Sequence, residues 1–116
     1  KDTDIRGKVV VLFTNEPPSK DPKFFGGNAL TYYGRWTYKY EEAIRRGAQA
    51  VFILHTTPTA GYGYDVVRSS WGKEDPQVKL APGEHALTFA GWLNQPAAER
   101  LAAMAGTTLS AMLEES

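Results

Sequence analysis

The chain has 116 residues and no cysteine, and its 13 lysine and arginine residues balance its 13 aspartate and glutamate residues. This length suits one ordinary domain, and the balanced charge lacks the basic patch of nucleic-acid binders, so we expect no nucleic-acid partner. No apolar stretch approaches the ~20 residues that span a bilayer, so we expect no membrane insertion, and the lack of cysteine excludes disulfides and thiolate chemistry.

Two apolar runs flank a helical pattern and predict a parallel strand-helix-strand unit. The runs Val9–Phe13 and Ala50–Leu54 are rich in β-branched and aromatic residues, and the second has almost no polar alternation, which is typical of a strand buried on both faces. Between them, residues 36, 40, 43, 44 and 47 recur at three- and four-residue spacing, and Gly47 suits the left-handed end of a helix. Strand, helix and strand in this order predict parallel pairing and a mixed α/β fold.

A long aromatic segment, residues 17–37, separates the first strand from the helix. Aromatic residues beside arginine are typical of interface anchors, and these rings exceed what a solvated loop tolerates. A second interpretation stays open, in which some of the rings, Trp36 and Tyr40 above all, only cover the core of the domain. The rings of the segment and of the following residue are Phe24, Phe25, Tyr32, Tyr33, Trp36 and Tyr38.

A second aromatic loop is predicted after the second strand, over residues 61–72. Gly61 and Gly63 indicate tight turns, and Tyr62, Tyr64 and Trp71 supply the rings. We expect the residues after Gly63 to be extended or irregular rather than helical. The two glycines therefore do not form a phosphate loop, which needs a helix directly after it.

The C-terminal part returns to regular structure. Residues 86–90 predict a third strand, and Asn94 with Pro96 predicts the start of a helix. Thr107 or Thr108 can cap a final helix. The apolar stripe of that final helix consists of Leu109, Met112 and Leu113.

Residues able to carry out catalysis or bind a metal are sparse. His55 and His85 are the only histidines, and without cysteine or a His-Glu-x-x-His pattern we interpret them as polar residues at strand ends. Ser69 lacks the strained strand-turn-helix elbow that presents a nucleophile. The adjacent carboxylates at 41–42 and 114–115 lie on helix surfaces, about 100° apart around the axis. We predict no catalytic residue and no metal ligand in this chain.

Three segments together resemble the protease-associated domain: residues 7–11 (GKVVV), 40–53 (YEEAIRRGAQAVFI) and 91–93 (GWL). The match covers nearly the whole chain. Residues 25–43 (FGGNALTYYGRWTYKYEEA) are similar to the insert of secreted bacterial zinc aminopeptidases of the aminopeptidase Y and glutamate carboxypeptidase type.

The resemblance implies a compact three-layer β/β/α domain, inserted in or appended to a peptidase that itself holds the zinc ions. It also implies that this segment has no cofactor and no peptidase activity alone, and that the protein is secreted or periplasmic. The partners it implies are the parent peptidase domain and its peptide substrate. Because the chain starts at Lys1, we expect an excerpt of a longer precursor, with any targeting signal outside it.

In these relatives the domain leans over the catalytic cleft, and the loop before its helix contributes to the substrate pocket. Residues 33–35 stand in that loop here, and the planar guanidinium of Arg35 could meet a substrate carboxylate. Because this loop is longer and has Tyr32 where a carboxylate-binding arginine would strengthen the match, we predict a lid or docking module rather than a defined specificity pocket. The candidate contact residues are Phe24, Phe25, Tyr32, Tyr33, Arg35, Trp36, Tyr62, Tyr64 and Trp71.

Two other functions stay open. Tyr62, Tyr64 and Trp71 could form a platform for sugar rings or an extended peptide in an independent binding module, although no set of polar residues for sugar hydroxyls accompanies them. A small self-contained enzyme would instead hydrolyse its substrate without added chains.

Overall fold

The structure is a computed structural model that describes residues 3–16, 20–24, 31–71, 73 and 79–115. These residues contain three strands and five α-helices. In chain order they are β1 (Val9–Phe13), a 3-10 turn (Tyr32–Gly34), α1 (Trp36–Arg45), β2 (Ala50–Leu54), α2 (Thr57–Ala60), α3 (Tyr64–Ser70), β3 (Phe89–Leu93), α4 (Gln95–Met104) and α5 (Leu109–Glu115). The α/β class, the strand-helix-strand unit and the C-terminal helices predicted from the sequence are confirmed. None of the described helices is both long and apolar enough to cross a membrane.

The three strands form one parallel sheet in the order β1-β2-β3. Ala50 of β2 lies between Val9 of β1 and Phe89 of β3, and the register continues without a break along all three strands. The central strand is buried on both faces, since Ile53 and Leu54 are each 0% exposed and point to opposite sides of the sheet. The predicted parallel pairing and the predicted double burial of β2 are both confirmed.

Alternating side chains of β2 divide the core between the two faces of the sheet. Ile53 packs with Ala43 of α1 on one face, whereas Leu54 packs with Ala98 of α4 and Leu109 of α5 on the other. Helices therefore cover both faces of the sheet. Among the described residues all strands belong to this sheet, so the second β layer implied by the family resemblance is not among them.

Three predicted helix ends are confirmed, namely the C-terminal end of α1 and the starts of α4 and α5. The chain leaves α1 through Gly47, whose φ is 74°, and the carbonyl of Gly47 accepts a 2.8 Å hydrogen bond from the amide of Gly7. At the start of α4 the side chain of Asn94 accepts from the amide of Ala97 at 3.0 Å. Thr108 caps α5 in the same way.

The third strand is displaced from its predicted position. It spans Phe89–Leu93 rather than residues 86–90, because its first residue pairs with Ala50, the first residue of β2. Gly91 lies in the middle of β3, a position at which glycine usually weakens a strand. In the structure the ring of Phe89 lies 2.6 Å from where a Cβ of Gly91 would be, so a larger residue at this position would have to displace the half-exposed Phe89 ring.

The prediction of an extended or irregular loop over residues 61–72 is wrong, because α3 occupies most of this segment and α2 directly precedes it. The hydroxyl of Thr56 accepts from the amide of Thr59 and starts α2, and Gly61 ends it with φ of 79°. Val67 then anchors α3, since it is 2% exposed. Burial of one apolar side chain thus favours a helix in a segment whose glycines indicated only turns.

Candidate functional site

An exposed aromatic surface lies at the start of α1, and we call its members Tyr32, Tyr33, Arg35 and Tyr38 the tyrosine surface. The Tyr38 ring is central, with centroids 5.4 Å from Tyr32 and 5.0 Å from Tyr33 in edge-to-face contacts. Tyr32 is 49% exposed and Tyr33 is 52% exposed. The surface therefore presents large rings to the exterior while their neighbours hold them in place.

Charged side chains border these rings on both sides. The hydroxyl of Tyr32 donates a 2.8 Å hydrogen bond to Oε2 of Glu41, and this bond to a carboxylate raises the pKa of Tyr32. The guanidinium carbon of Arg35 lies 6.0 Å from the Tyr32 ring centroid, and that of Arg45 lies 5.5 Å from the Tyr38 ring centroid. The tyrosine surface thus combines exposed rings with the Arg35 cation, and Arg45 and Glu41 contact its rings from outside it.

A second aromatic group, the tryptophan cluster, consists of Trp36, Trp71 and Trp92. The rings of Trp71 and Trp92 stack with an interplanar angle of 10° and a centroid distance of 5.6 Å. The Trp36 centroid lies 5.3 Å from that of Trp71 and 5.8 Å from that of Trp92. Trp36 and Trp92 pack against the core beside α1. The interpretation of Trp36 as a core ring therefore fits its position better than the interface interpretation.

His55 lies next to this cluster at the end of β2, and it is 2% exposed. Its ring centroid is 5.3 Å from that of Tyr62 and 5.4 Å from that of Tyr64, and its Nε2 has no hydrogen-bond partner among the described residues. The Tyr64 hydroxyl donates to the carbonyl oxygen of Trp92 at 3.5 Å, and burial raises the pKa of Tyr62. Tyr62 and Tyr64 are therefore partly used in internal packing.

The remaining candidate residues are Phe24, Phe25 and His85. Phe24 is 48% exposed in a turn in which its amide donates to the carbonyl of Asp21. Phe25 lies outside the described residues. The ring of His85 lies 2.7 Å from the carbonyl oxygen of Ala48 and is not at a strand end, so that interpretation of His85 is wrong.

A shallow cleft of about 310 Å³ lies beyond the carboxyl end of β2. Hydroxyl groups line it, and the hydroxyl oxygen of Thr59 lies 2.8 Å from those of both Thr14 and Thr56. Gln95 donates from Nε2 to Oε1 of Glu99 at 3.0 Å at the same cleft. The hydroxyl groups of Thr14, Thr56 and Thr59 thus bond to one another, and the Glu99 carboxylate bonds to Gln95.

Sequence reasoning missed the residues that hold the two aromatic groups together. Trp92 was identified only as part of the GWL segment of the family resemblance, and no packing role was predicted for it. Its apolar neighbours in residues 89–93 could have indicated a buried ring. Glu41 was interpreted as a charged residue on the helix surface, and its bond to Tyr32 joins residues nine positions apart.

Within the described residues, no three histidine, cysteine, aspartate or glutamate side chains lie close enough to hold a metal ion.

Comparisons of the chain with protein-family models, with curated proteins and with solved structures give no match. Function is therefore inferred from the residues of this chain and from the geometry of the tyrosine surface.

Proposed function

We propose that this chain is a non-catalytic protease-associated domain of a zinc-dependent peptidase. It acts as a lid or docking module that shapes substrate access and domain packing in a secreted or periplasmic parent protein. The parent peptidase domain holds the zinc and performs the chemistry, and peptide substrate is a second partner. The family resemblance of residues 25–43 supports this proposal, and those residues include the whole tyrosine surface.

The tyrosine surface is the observation that carries the docking role. The rings of Tyr32 and Tyr33 are about half exposed and belong to the same surface as Arg35, and tyrosine and arginine are, with tryptophan, the residue types most enriched among the residues that carry binding energy in protein interfaces. Their contacts with Tyr38 and Glu41 order them before a partner arrives. An ordered surface loses less conformational entropy on binding, which favours docking.

The independent carbohydrate- or peptide-binding module remains the alternative, and the rings it needs are placed less well for it. One face of Trp71 is covered by the stacked Trp92 ring, and the Tyr64 hydroxyl is directed to the Trp92 backbone. Trp71 is still 39% exposed, so a titration of the chain with oligosaccharides and unstructured peptides tests this alternative. Saturable binding that Trp71→Ala abolishes would favour it over docking.

Kinetics of the longer peptidase test the docking proposal. Replacing Tyr33→Ala together with Arg35→Ala removes one ring and one cation of the tyrosine surface without touching the tryptophan cluster. We expect kcat/KM for peptide hydrolysis to fall by at least about five-fold, the effect of losing about 1 kcal/mol of contact. Unchanged hydrolysis kinetics would contradict the proposal.

A matched control is Arg68→Ala, because Arg68 is an exposed arginine of α3 that pairs only with Asp65 at 3.0 Å in the described contacts. This control should leave hydrolysis unchanged, because Arg68 is not part of the tyrosine surface. Its loss should also leave the fold intact, since an exposed ion pair contributes little to stability. Chelating the zinc should abolish hydrolysis by the longer protein and leave the melting temperature of this chain unchanged.

A further inference from the structure

The carboxylate of Glu16 holds Thr31, the residue directly before the 3-10 turn of the tyrosine surface. The amide of Thr31 donates to Oε1 of Glu16 at 2.8 Å, and the hydroxyl of Thr31 donates to Oε2 at 2.5 Å. Both oxygens of one carboxylate are thus bonded to a single residue fifteen positions away. Hydrogen bonds to an ionised acceptor are stronger than those between neutral groups.

Glu16 is itself fixed to the carboxyl end of the sheet. Its amide donates to Oδ1 of Asn15 at 2.9 Å, and Nδ2 of Asn15 donates to the carbonyl oxygen of Thr59 at 2.9 Å. Asn15 has φ of 75°, a left-handed conformation that asparagine tolerates better than most residues. The preceding residue, Thr14, still pairs with β2 through the carbonyl of Leu54. The position of the Glu16 carboxylate is therefore set by the sheet and by α2.

We propose that Glu16 is the positioning residue of the tyrosine surface, holding Thr31 so that the 3-10 turn presents Tyr32 and Tyr33 in one fixed orientation. The turn has few bonds of its own. The amide of Gly34 donates to the carbonyl of Thr31 at 3.2 Å, and that of Arg35 donates to the carbonyl of Tyr32 at 3.1 Å. Ordering the residues of the turn costs conformational entropy, and two backbone hydrogen bonds offset only part of that cost. Hydrogen bonds from another segment, such as those of Glu16, therefore stabilise the turn.

Glu16 also acts on α1, the helix that carries the other end of the surface. Burial lowers the pKa of Lys39, and the negative charge of Glu16 offsets part of that effect. The negative charge of Glu16 therefore also favours the charged form of Lys39 in α1. The consequence for docking rests on the proposed function, whereas the positioning itself does not.

Amide hydrogen exchange in the 116-residue chain tests the positioning. Glu16→Ala removes both acceptors, and we expect the amides of Gly34 and Arg35 to exchange at least about ten-fold faster, as expected when a charged hydrogen-bond partner is lost. Amides of β2 should keep their protection. Glu99→Ala, which removes a carboxylate bonded only to Gln95 in the described contacts, should leave Gly34 and Arg35 unchanged.

Two further variants keep the test decisive if Glu16→Ala unfolds the chain. Thr31→Val removes only the hydroxyl donor, and Glu16→Gln keeps one carbonyl acceptor, so both should give smaller increases in exchange than Glu16→Ala. Exchange of Gly34 and Arg35 within about two-fold of the wild-type rate in Thr31→Val and Glu16→Gln, with β2 still protected, would overturn the positioning role.

Kinetics of the longer peptidase separate this inference from the proposed function. If Glu16→Ala speeds exchange and also lowers kcat/KM as Tyr33→Ala with Arg35→Ala does, both stand. If exchange increases while hydrolysis is unchanged, Glu16 positions the turn and the docking proposal fails. If exchange is unchanged, the positioning role is overturned whatever the kinetics show.

Discussion

Tyr40 places an ionisable hydroxyl beside the buried face of the sheet. Its hydroxyl donates to the carbonyl oxygen of Gly91 at 3.2 Å, and its ring packs on Trp36 with centroids 5.6 Å apart. Burial disfavours the phenolate and raises the pKa of Tyr40 from 10.0 to about 12. The folded state therefore keeps a proton on Tyr40 at a pH at which the unfolded chain has lost it.

This difference predicts a loss of stability at alkaline pH. Between the unfolded pKa of 10.0 and the folded pKa of about 12, unfolding releases a proton, so the free energy of unfolding falls as pH rises through this window. Tyr40→Phe cannot ionise. It should be less stable than the wild type by about 1 kcal/mol at neutral pH because it lacks the hydrogen bond to Gly91, and this deficit should shrink above about pH 10.

Denaturant unfolding of both proteins from about pH 8 to about pH 11.5 measures the effect, and comparing them cancels the titration of lysines and of the other tyrosines. A difference in unfolding free energy that stays constant across this range would contradict the assignment.

Single residues were predictable where their role is local. The left-handed Gly47 and the cap at Asn94 follow from neighbours within four positions, so the sequence pattern determines them. The burial of His55 beside Tyr62 and the bond between Glu16 and Thr31 depend on segments that the fold brings together. No local pattern distinguishes a buried histidine or a bonded carboxylate from a solvated one.

At the scale of elements, α4 is the clearest case of a helix specified by its first turn. Asn94 accepts from the amide of Ala97, Pro96 occupies the first turn, and Ala98 and Ala102 face the core at 1% and 0% exposure. This packing joins α4 to the sheet, so weakening the cap should destabilise the whole domain.

Asn94→Ala should lower the free energy of unfolding by about 1 kcal/mol, because the amide of Ala97 loses its acceptor. Asn94→Asp keeps an acceptor and places a negative charge at the helix N-terminus, so it should be at least as stable as the wild type. Thermal or denaturant unfolding measures both. Equal loss of stability in the two variants would show that the cap is not the cause.

The elements that the sequence misplaced are those whose limits are set by neighbours in space. β3 starts at Phe89 because pairing with Ala50 begins there, and nothing in residues 86–90 alone reveals that register. α3 forms because Val67 finds a buried position, whereas Gly61 and Gly63 flank the helix instead of preventing it. β1 and β2 were placed correctly because each is a continuous apolar run, and α1 because its apolar residues recur at helical spacing.

At the scale of the whole molecule, α1 connects the core to the tyrosine surface. Trp36 and Tyr40, one turn apart, face the core, whereas Tyr38 contacts Tyr32 and Tyr33. The 3-10 turn is tied to the carboxyl end of β1 by the bond between Glu16 and Thr31. We therefore expect the tyrosine surface to move with the domain as one rigid unit, so a partner that docks on it positions the whole sheet.

The central claim is that the tyrosine surface docks this domain on its parent peptidase domain. Titrating the separately produced peptidase segment with this chain in a calorimeter tests it most directly. We expect saturable binding that Tyr33→Ala with Arg35→Ala weakens by at least about ten-fold, while Arg68→Ala binds as the wild type does. Equal affinity for the wild type and the Tyr33→Ala, Arg35→Ala variant would contradict the claim.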